Sequence, residues 1–310
     1  MGNSSLFKAY SAMMGAVIFW GISFVATKVA LESFPTFTLV FFRFGAASCC
    51  FMMLIMRRGI PRFSRKDHGK IFLMALFEPG LYFVFETTGL QYTSAAKASL
   101  IIATIPIVIM VLATLFLGER TGPAGIAGIL LSLTGIVVLV AGDPEFDMTL
   151  GGPLAGDMLI AGAVISCSVY MVIARNMGQG HSPLEITMMQ IIYGAVFFAP
   201  LFLWELPSIK WTAISGRSAA ALVYLSLFST IAAFLCNNYA LSRIPASQAS
   251  VFINGIPVVT ALSAWFLLGE VLTGLQLAGG TLVLLAVFLT NMSAMLASAR
   301  QKNACSRPVV

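Results

Sequence analysis

An acidic and aromatic face marks one apolar segment of this sequence. Glu78, Tyr82 and Glu86 stand four residues apart, which places them on one face of a helix. A carboxyl group in the middle of such a segment could bind a substrate ammonium or carry a coupling proton. In the alternative interpretation, Glu78 only accepts hydrogen bonds and shapes a kink at Pro79-Gly80. The spacing therefore predicts either a binding site or a structural bend.

Aromatic rings and a cation follow the same spacing in a second apolar segment. Trp20, Phe24 and Lys28 stand four residues apart and share one helix face. Together with Tyr82, the two rings could form a wall for a flat or apolar group, and Trp20 could bind a cation on its face. Packing against neighbouring helices is the alternative role of each ring.

Prolines interrupt three of the apolar segments. Pro79, Pro106 and Pro257 are predicted helix kinks, because proline cannot donate the helical hydrogen bond and leaves a carbonyl unpaired. Asn254 stands one turn before Pro257, so its amide is a candidate substrate contact. The carbonyls near Thr104 and Pro106 are candidates for the same reason, with a purely structural kink as the alternative.

The composition requires a membrane environment for these residues. The 310 residues are 59% hydrophobic and 10% charged, with a mean hydropathy of +0.94. A soluble domain carries about 25% charged residues. The apolar residues fall in blocks of about 20, the length of a helix that crosses the hydrocarbon core. We therefore expect an all-α polytopic membrane protein, with the lipid bilayer as its first partner.

The apolar blocks predict ten membrane-spanning helices. Their expected ranges are 9–31, 36–57, 69–90, 93–117, 122–141, 154–175, 183–204, 217–241, 245–268 and 272–297. The basic loop 57–70 is predicted to be cytoplasmic by the positive-inside rule, which puts both termini inside and the acidic connection 143–147 outside. The net charge of +6 is thus a topology signal, and no nucleic-acid partner is expected.

The chain contains an internal repeat. Pairing Pro106 with Pro257 gives an offset of 151 positions (257 − 106), and this register continues without a gap from Leu90/Leu241 to Gly128/Gly279. Near the other end, GAVI occurs at positions 15 and 162, an offset of 147 (162 − 15). The two predicted units are residues 1–148 with helices one to five and residues 149–310 with helices six to ten.

The second repeat is predicted to be inverted in the membrane. A unit of five helices crosses an odd number of times, so its second copy enters upside down. Arg120 on a predicted cytoplasmic turn corresponds to Val271 on an outer turn, and Tyr92 outside corresponds to Arg243 inside. Inverted repeats are common in secondary transporters, which flip access by exchanging the conformations of two similar halves.

Polar residues near the helix ends form two predicted clusters. The outer cluster is charged, and the inner one contains the repeat partners of its members at offsets of 147 or 151. Glu86 is predicted to pair with one of the basic residues when the outer side is closed; static ion pairs are the alternative role. The members are Lys28, Arg43, Glu86 and Lys97 outside, and Arg175, Gln190, Asn237 and Gln248 inside.

Several function classes are not supported by any motif. The two histidines, His68 and His181, lie in different connections, so no histidine metal cluster is expected. An ATP-binding loop, HExxH and Gly-x-Ser-x-Gly are absent from the sequence. We therefore expect no catalytic residues, no metal and no cofactor, and the chain is not predicted to be an enzyme.

The motifs resemble those of a known transporter group. WGISF at Trp20, GLQYTSAAKASLI at Gly89, and the segment at Ile105 with its second copy at Ile256 resemble the drug/metabolite transporter superfamily, in its proteins with two EamA-type units. The resemblance implies a central cavity lined by helices one to four and six to nine, in a bacterial cytoplasmic membrane. It is greatest to exporters of amino acids, in particular aromatic ones. Helix six departs from the pattern, since VISCSVY has no tryptophan to match Trp20.

The expected function is export of small amphiphilic metabolites by alternating access, with amino acids as the leading substrate class. A carrier of sugar phosphates or cationic drugs is the alternative, and a membrane-embedded enzyme is a less favoured one. Basic residues near the helix ends rather than the midplane disfavour sugar phosphates. The substrate, the direction, the coupling ion and the oligomeric state are left open by the sequence.

Overall fold

The computed structural model describes residues 3–58, 63–117, 123–144, 152–174, 182–241, 243, 252 and 254–305. All regular structure in these ranges is helical. The α-helices are, in chain order, α1 Asn3–Leu31, α2 Thr36–Arg58, α3 Arg65–Ala75, α4 Tyr82–Gly89, α5 Ala95–Ile102, α6 Ile105–Leu117, α7 Pro123–Ala141, α8 Pro153–Ala174, α9 Pro183–Glu205, α10 Gly216–Tyr224, α11 Ala233–Leu241, α12 Ile256–Leu268 and α13 Gly274–Cys305. Two short 3₁₀ turns, Leu206–Ser208 and Trp211–Ala213, follow α9.

Seven helical stretches within the described ranges are long and apolar enough to cross a membrane. They are Phe7–Leu31, Thr36–Leu54, Arg65–Gly89, Ala95–Leu112, Pro153–Met171, Leu184–Ser208 and Gly216–Ala240. Three shorter apolar helices, Gly125–Ala141, Ile256–Leu268 and Gly274–Leu289, have between 10 and 17 residues. The chain is therefore a multi-pass membrane protein whose described regular structure is all helical, and the ten-span arrangement stays a prediction.

Two of the membrane-length stretches change their helical pitch at mid-span. A π-helical segment, Leu76–Leu81, joins α3 to α4, and a second one, Leu225–Ala232, joins α10 to α11. We call them the first and second π segments. Shifting Leu81 by the repeat offset of 151 gives Ala232, so the two segments end at matching positions of the repeat. π-Helical turns are rare and occur frequently at functional sites.

The helix breaks at the other two prolines lie just before the proline. Helix α5 ends at Ile102 and α6 begins at Ile105, so Pro106 occupies the first turn of α6. Pro257 holds the same position in α12. Proline is tolerated there because the first-turn N–H has no helical partner in any case. The bend predicted at Pro106 itself therefore lies two to three residues earlier in the chain.

Helices from the two halves of the sequence interleave. Helix α1 packs against α11 and α12, while α8 packs against α4 and α6. Helices α2 and α9 pack against each other, and α7 pairs extensively with α13. Small residues allow some of these close approaches: a Cβ atom on Gly135 of α7 would stand 2.9 Å from the backbone oxygen of Gly279 on α13. Each half thus completes its packing with helices of the other half.

Candidate functional site

Glu78 lies at a break in the middle of the Arg65–Gly89 span. Its backbone angles, φ −143° and ψ 114°, are extended although helix continues on both sides, and the bond to Pro79 is cis. Thirteen residues precede Glu78 in this span and eleven follow it, so the carboxyl group stands near the centre of the span. The acidic side chain predicted from the sequence is therefore positioned by the first π segment.

Side chains of α8 and α9 satisfy the carbonyl groups that this break exposes. Ser166 donates its hydroxyl to the Phe77 oxygen over 2.8 Å, and Gln190 Nε2 donates to the Glu78 oxygen over 2.6 Å. The Cys167 thiol donates to Glu78 Oε2 at 3.4 Å. Irregular backbone inside a membrane requires such partners. Gln190, predicted to belong to the inner cluster, contacts the first π segment.

Tyr82 and Tyr170 lie within electrostatic range of Glu78, and Trp20 packs on a neighbouring helix. Trp20, Tyr82 and Tyr170 are half-buried and pack against the principal apolar cluster of the molecule. The Trp20 ring meets Phe234 edge-on with centroids 5.6 Å apart, and the Tyr170 hydroxyl interacts with Gln190. Phe24, predicted with Trp20 and Tyr82 to form the aromatic wall, is 3% exposed and packs within the cluster, whereas Tyr170 was not predicted. Half-buried tyrosines near a half-buried carboxyl group are compatible with a polar and aromatic binding site.

Arg43 extends from α2 to the second π segment. Its Nε atom donates to Thr230 Oγ1 over 2.7 Å, and Nη2 donates to Ser229 Oγ over 2.8 Å. This contact mirrors the one at Glu78, because the repeat pairs Arg43 with Gln190 and Glu78 with Ser229. One side chain of each half therefore binds the π segment of the other half.

A cluster of ion pairs occupies the predicted outer end. Lys28 Nζ donates to Glu270 Oε1 at 3.1 Å, and Glu270 accepts the backbone N–H groups of Ala95 and Ala96 at the start of α5. Fully buried Lys97 lies 2.6 Å from an Asp143 oxygen and 2.7 Å from an Asp157 oxygen. We call this set the outer ion cluster; its side chains are Lys28, Lys97, Asp143, Asp157 and Glu270.

Glu86, predicted to pair with Lys28, Arg43 or Lys97 when the outer side is closed, forms no ion pair with either lysine within the described residues. Both lysines have other carboxylates within contact, since the turn after α12 and the start of α8 lie closer to them. Glu86 is 2% exposed, accepts the Thr87 hydroxyl over 2.9 Å and attracts Arg43 electrostatically. The hydrogen bonds of Arg43 itself go to hydroxyl groups.

The remaining predicted residues have less defined surroundings. Asn237, the repeat partner of Glu86, is half-buried in α11, and its neighbour Asn238 donates to Thr187. Asn254 lies in the turn before α12, and its Oδ1 atom is buried without a hydrogen-bond donor among the described residues. Arg175 and Gln248 lie outside the described residues. No group of three metal-ligating side chains occurs within the described ranges.

Sequence reasoning missed the carboxylates of the outer ion cluster. The repeat includes Glu270 and the acidic connection includes Asp143, but neither is among the predicted site residues, and Asp157 belongs to no motif. The available signal was their position, since all three flank apolar blocks at the predicted outer boundary. Ser229 and Thr230 gave no such signal, because hydroxyl side chains are common in membrane helices.

Comparisons with known proteins agree with this architecture. The model of the EamA-like transporter family matches residues 7–141 and again residues 154–292. These matches span most of the sequence, so the molecule is a membrane transporter. The chain belongs to the EamA-like transporter family.

Individual relatives cover the chain almost completely. An uncharacterized transporter of Archaeoglobus fulgidus is 29% identical, over 91% of this chain and 98% of its own length. A probable terminal-alkyne amino-acid exporter of Streptantibioticus cattleyicolor is 28% identical, over 92% and 94%. A solved crystal structure covering 96% of this chain and 99% of its own, at 19% identity and a TM-score of 0.66, is similar in fold.

Proposed function

We propose that this protein exports small amphiphilic metabolites, above all amino acids, across a bacterial cytoplasmic membrane as a secondary transporter. Ten helices form two inverted repeats, residues 1–148 and 149–310, around a central cavity, with both termini cytoplasmic. The observation that carries this proposal is Glu78, a carboxyl group at a mid-span helix break within electrostatic range of Tyr82 and Tyr170. A membrane-buried ionisable group of this kind is characteristic of a transport pathway.

The contacts of the π segments support alternating access. Arg43 and Gln190 are repeat partners, and each binds the π segment of the opposite half. Exchanging the conformations of the two halves would exchange these two contacts. The outer ion cluster would then form the closed outer gate, with Lys28 and Lys97 as gating residues. Arg175 and Gln248 remain the predicted counterparts on the inner side.

The chemistry around Glu78 favours a substrate with an ammonium group and an apolar part. The carboxylate would bind the ammonium, while Trp20, Tyr82 and Tyr170 would contact the side chain. Asn254, whose oxygen has no hydrogen-bond donor within the described residues, is a further candidate contact. The amino-acid exporter among the relatives supports this substrate class. Glu78 would alternatively carry a coupling proton, and cationic drugs would satisfy the same carboxylate.

Counterflow in proteoliposomes tests the function. Purified protein would be reconstituted and offered labelled L-phenylalanine, L-leucine, a sugar phosphate and a quaternary ammonium cation, with and without a pH gradient. We expect saturable counterflow of the amino acids. Counterflow restricted to the sugar phosphate or the cation, or flux of all probes without saturation, would contradict the proposal.

Replacing Glu78 tests the proposed site. Glu78→Gln removes the charge while keeping the size, so we expect amino-acid counterflow to fall at least tenfold, as the loss of one charge-assisted hydrogen bond predicts. If Glu78 carries the proton, the variant would also lose the response to a pH gradient. Glu205→Gln serves as the control, because Glu205 only caps α2 at the predicted outer end. Wild-type transport and pH response in Glu78→Gln would exclude both roles.

A further inference from the structure

We propose that Arg43, together with Ser229 and Thr230, binds the carboxylate group of the substrate, so that the transported molecule is a zwitterion. This inference rests on the proposed function, because it assigns the second charged end of the same substrate. It changes the role predicted for Arg43 from a gating ion pair to a binding residue.

The first observation is a cation deep in the membrane-spanning region. Arg43 is 3% exposed and stands seven residues into α2, about 10 Å from its start at a rise of 1.5 Å per residue. Its partners Ser229 and Thr230 lie thirteen and fourteen residues into the 26-residue stretch of α10, the second π segment and α11, close to the midpoint. A charge in this place is costly, and residues of this kind usually mark a binding site or a transport pathway.

The second observation is the unused donor capacity of the guanidinium. A guanidinium has five N–H groups, and two of them are used by the bonds from Nε and Nη2. Within the part of the chain that the structure describes, Nη1 has no hydrogen-bond acceptor. Neutral hydroxyls also leave the positive charge without a contacting anion. An arginine fork of this kind matches the geometry of a carboxylate.

Two aromatic rings restrict the orientation of the Arg43 guanidinium. The guanidinium carbon lies 4.4 Å from the centre of the Phe83 ring and 5.7 Å from that of Phe44. Phe44 and Phe83 in turn pack edge to face, with centroids 5.1 Å apart. Rigid aromatic neighbours reduce the entropy that a binding residue loses, which is the condition for a preformed site.

The charges around Arg43 favour a monoanion with its own ammonium group. Glu86 and Glu78 both attract the guanidinium through space, and the hydroxyls of Tyr82 and Tyr224 lie within the same electrostatic range. Glu86 attracts Arg43 without a hydrogen bond or an ion-pair contact to it. A phosphate dianion would be repelled by two carboxylates. An α-amino acid would place its carboxylate at Arg43 and its ammonium at Glu78.

Three probes separate the two ends of such a ligand. L-Phenylalanine carries both charges, 3-phenylpropionate only the carboxylate, and phenethylamine only the ammonium. Their binding to the purified protein would be measured by intrinsic tryptophan fluorescence and by the shift in melting temperature. In Arg43→Gln, we expect L-phenylalanine and 3-phenylpropionate to bind at least tenfold more weakly, while phenethylamine binds as in the wild type.

Two further variants serve as controls. Arg217→Gln removes an exposed arginine that donates to the Leu267 oxygen, and we expect it to leave all three affinities unchanged. Arg43→Lys keeps the charge but loses the fork, so it should weaken carboxylate binding even if Arg43→Gln fails to fold. Equal binding of the carboxylate probes to the wild type and to the folded Arg43 variants would overturn the proposal. No binding of either carboxylate probe to the wild type would do the same.

The counterflow experiment distinguishes this inference from the proposed function. Carboxylate binding that depends on Arg43, without amino-acid counterflow, would leave the anion site standing and refute amino-acid transport. Amino-acid counterflow at the wild-type rate in Arg43→Gln would leave the function standing and refute the anion site.

Discussion

At the scale of single residues, the two repeats carry side chains of different size at two pairs of corresponding positions. Cys167 occupies the position that corresponds to Trp20, and Glu78 the position that corresponds to Ser229. A small cysteine thus stands beside the larger carboxyl side chain, at 3.4 Å from its oxygen. The tryptophan missing from helix six is therefore explained by the space that Glu78 requires in a close-packed interior.

Restoring the tryptophan tests this explanation. Cys167→Trp adds volume beside Glu78, and because overpacking costs about 1–3 kcal/mol, we expect amino-acid counterflow to fall roughly tenfold or more. Cys167→Ser keeps a similar size and replaces the thiol donor by a hydroxyl donor, so its counterflow should stay within about threefold of the wild type. Melting curves would verify that both variants fold. Unimpaired counterflow in folded Cys167→Trp would disprove the size argument.

At the scale of helices, the outer ion cluster connects elements that are distant in the sequence. Glu270 follows α12, yet it accepts hydrogen bonds from the first backbone N–H groups of α5 and from Lys28 of α1. A carboxylate at a helix N-terminus is favoured by the helix dipole and by the unpaired N–H groups. One side chain thus holds three helices together at the predicted outer end.

Removing this carboxylate charge should open the outer end more often. In a background with Cys167 as the sole cysteine, we expect Glu270→Gln to increase its labelling by an impermeant maleimide from outside about fivefold. This corresponds to about 1 kcal/mol for a partly exposed ion pair. Glu205→Gln, a carboxylate change at the same end outside the cluster, is the matched control. The same labelling rate in both variants would show that the cluster does not restrict access.

At the scale of the whole molecule, the α7–α13 pair stands apart from the residues that form the candidate site. The two helices approach each other closely at Gly135 and Gly279, and a Cβ atom on Gly142 would stand 2.7 Å from Leu275. Van der Waals packing between small residues is a main source of helix association in membranes. We infer that this pair supports the fold of both halves without contacting the substrate.

Gly279→Ala separates stability from binding. Its Cβ atom would collide with the backbone at Leu139, so we expect a melting temperature lower by several degrees, with a cost of about 1–3 kcal/mol. Binding of L-phenylalanine to the folded protein should stay unchanged. Gly274→Ala is the control, because a Cβ atom there meets nothing within 4 Å. An equal melting temperature in both variants, or weakened binding in Gly279→Ala, would contradict this division of roles.

The sequence by itself determined the environment, the helices and the repeat. Apolar blocks near 20 residues require membrane-spanning helices, and the positions of these blocks agree with the described helices to within a few residues, apart from the start of α1 and the end of α13. The predicted start of the ninth span lies outside the described residues. The sequence predicts a role for Glu78 because a carboxyl group inside an apolar block is energetically costly. The length of an apolar block and a charge inside it are local features, since each depends only on one segment and on the lipid around it.

Only the tertiary structure decided which side chains meet. The sequence offered Lys28, Arg43 and Lys97 as partners of Glu86, and it could not rank them, because depth along a helix does not fix its rotation or its neighbours. Packing places Glu270 in contact with Lys28, although 242 positions separate them in the sequence. It likewise places Arg43 in contact with Thr230, which is 187 positions away. These partners follow from how the two halves interleave, which is a property of the whole chain.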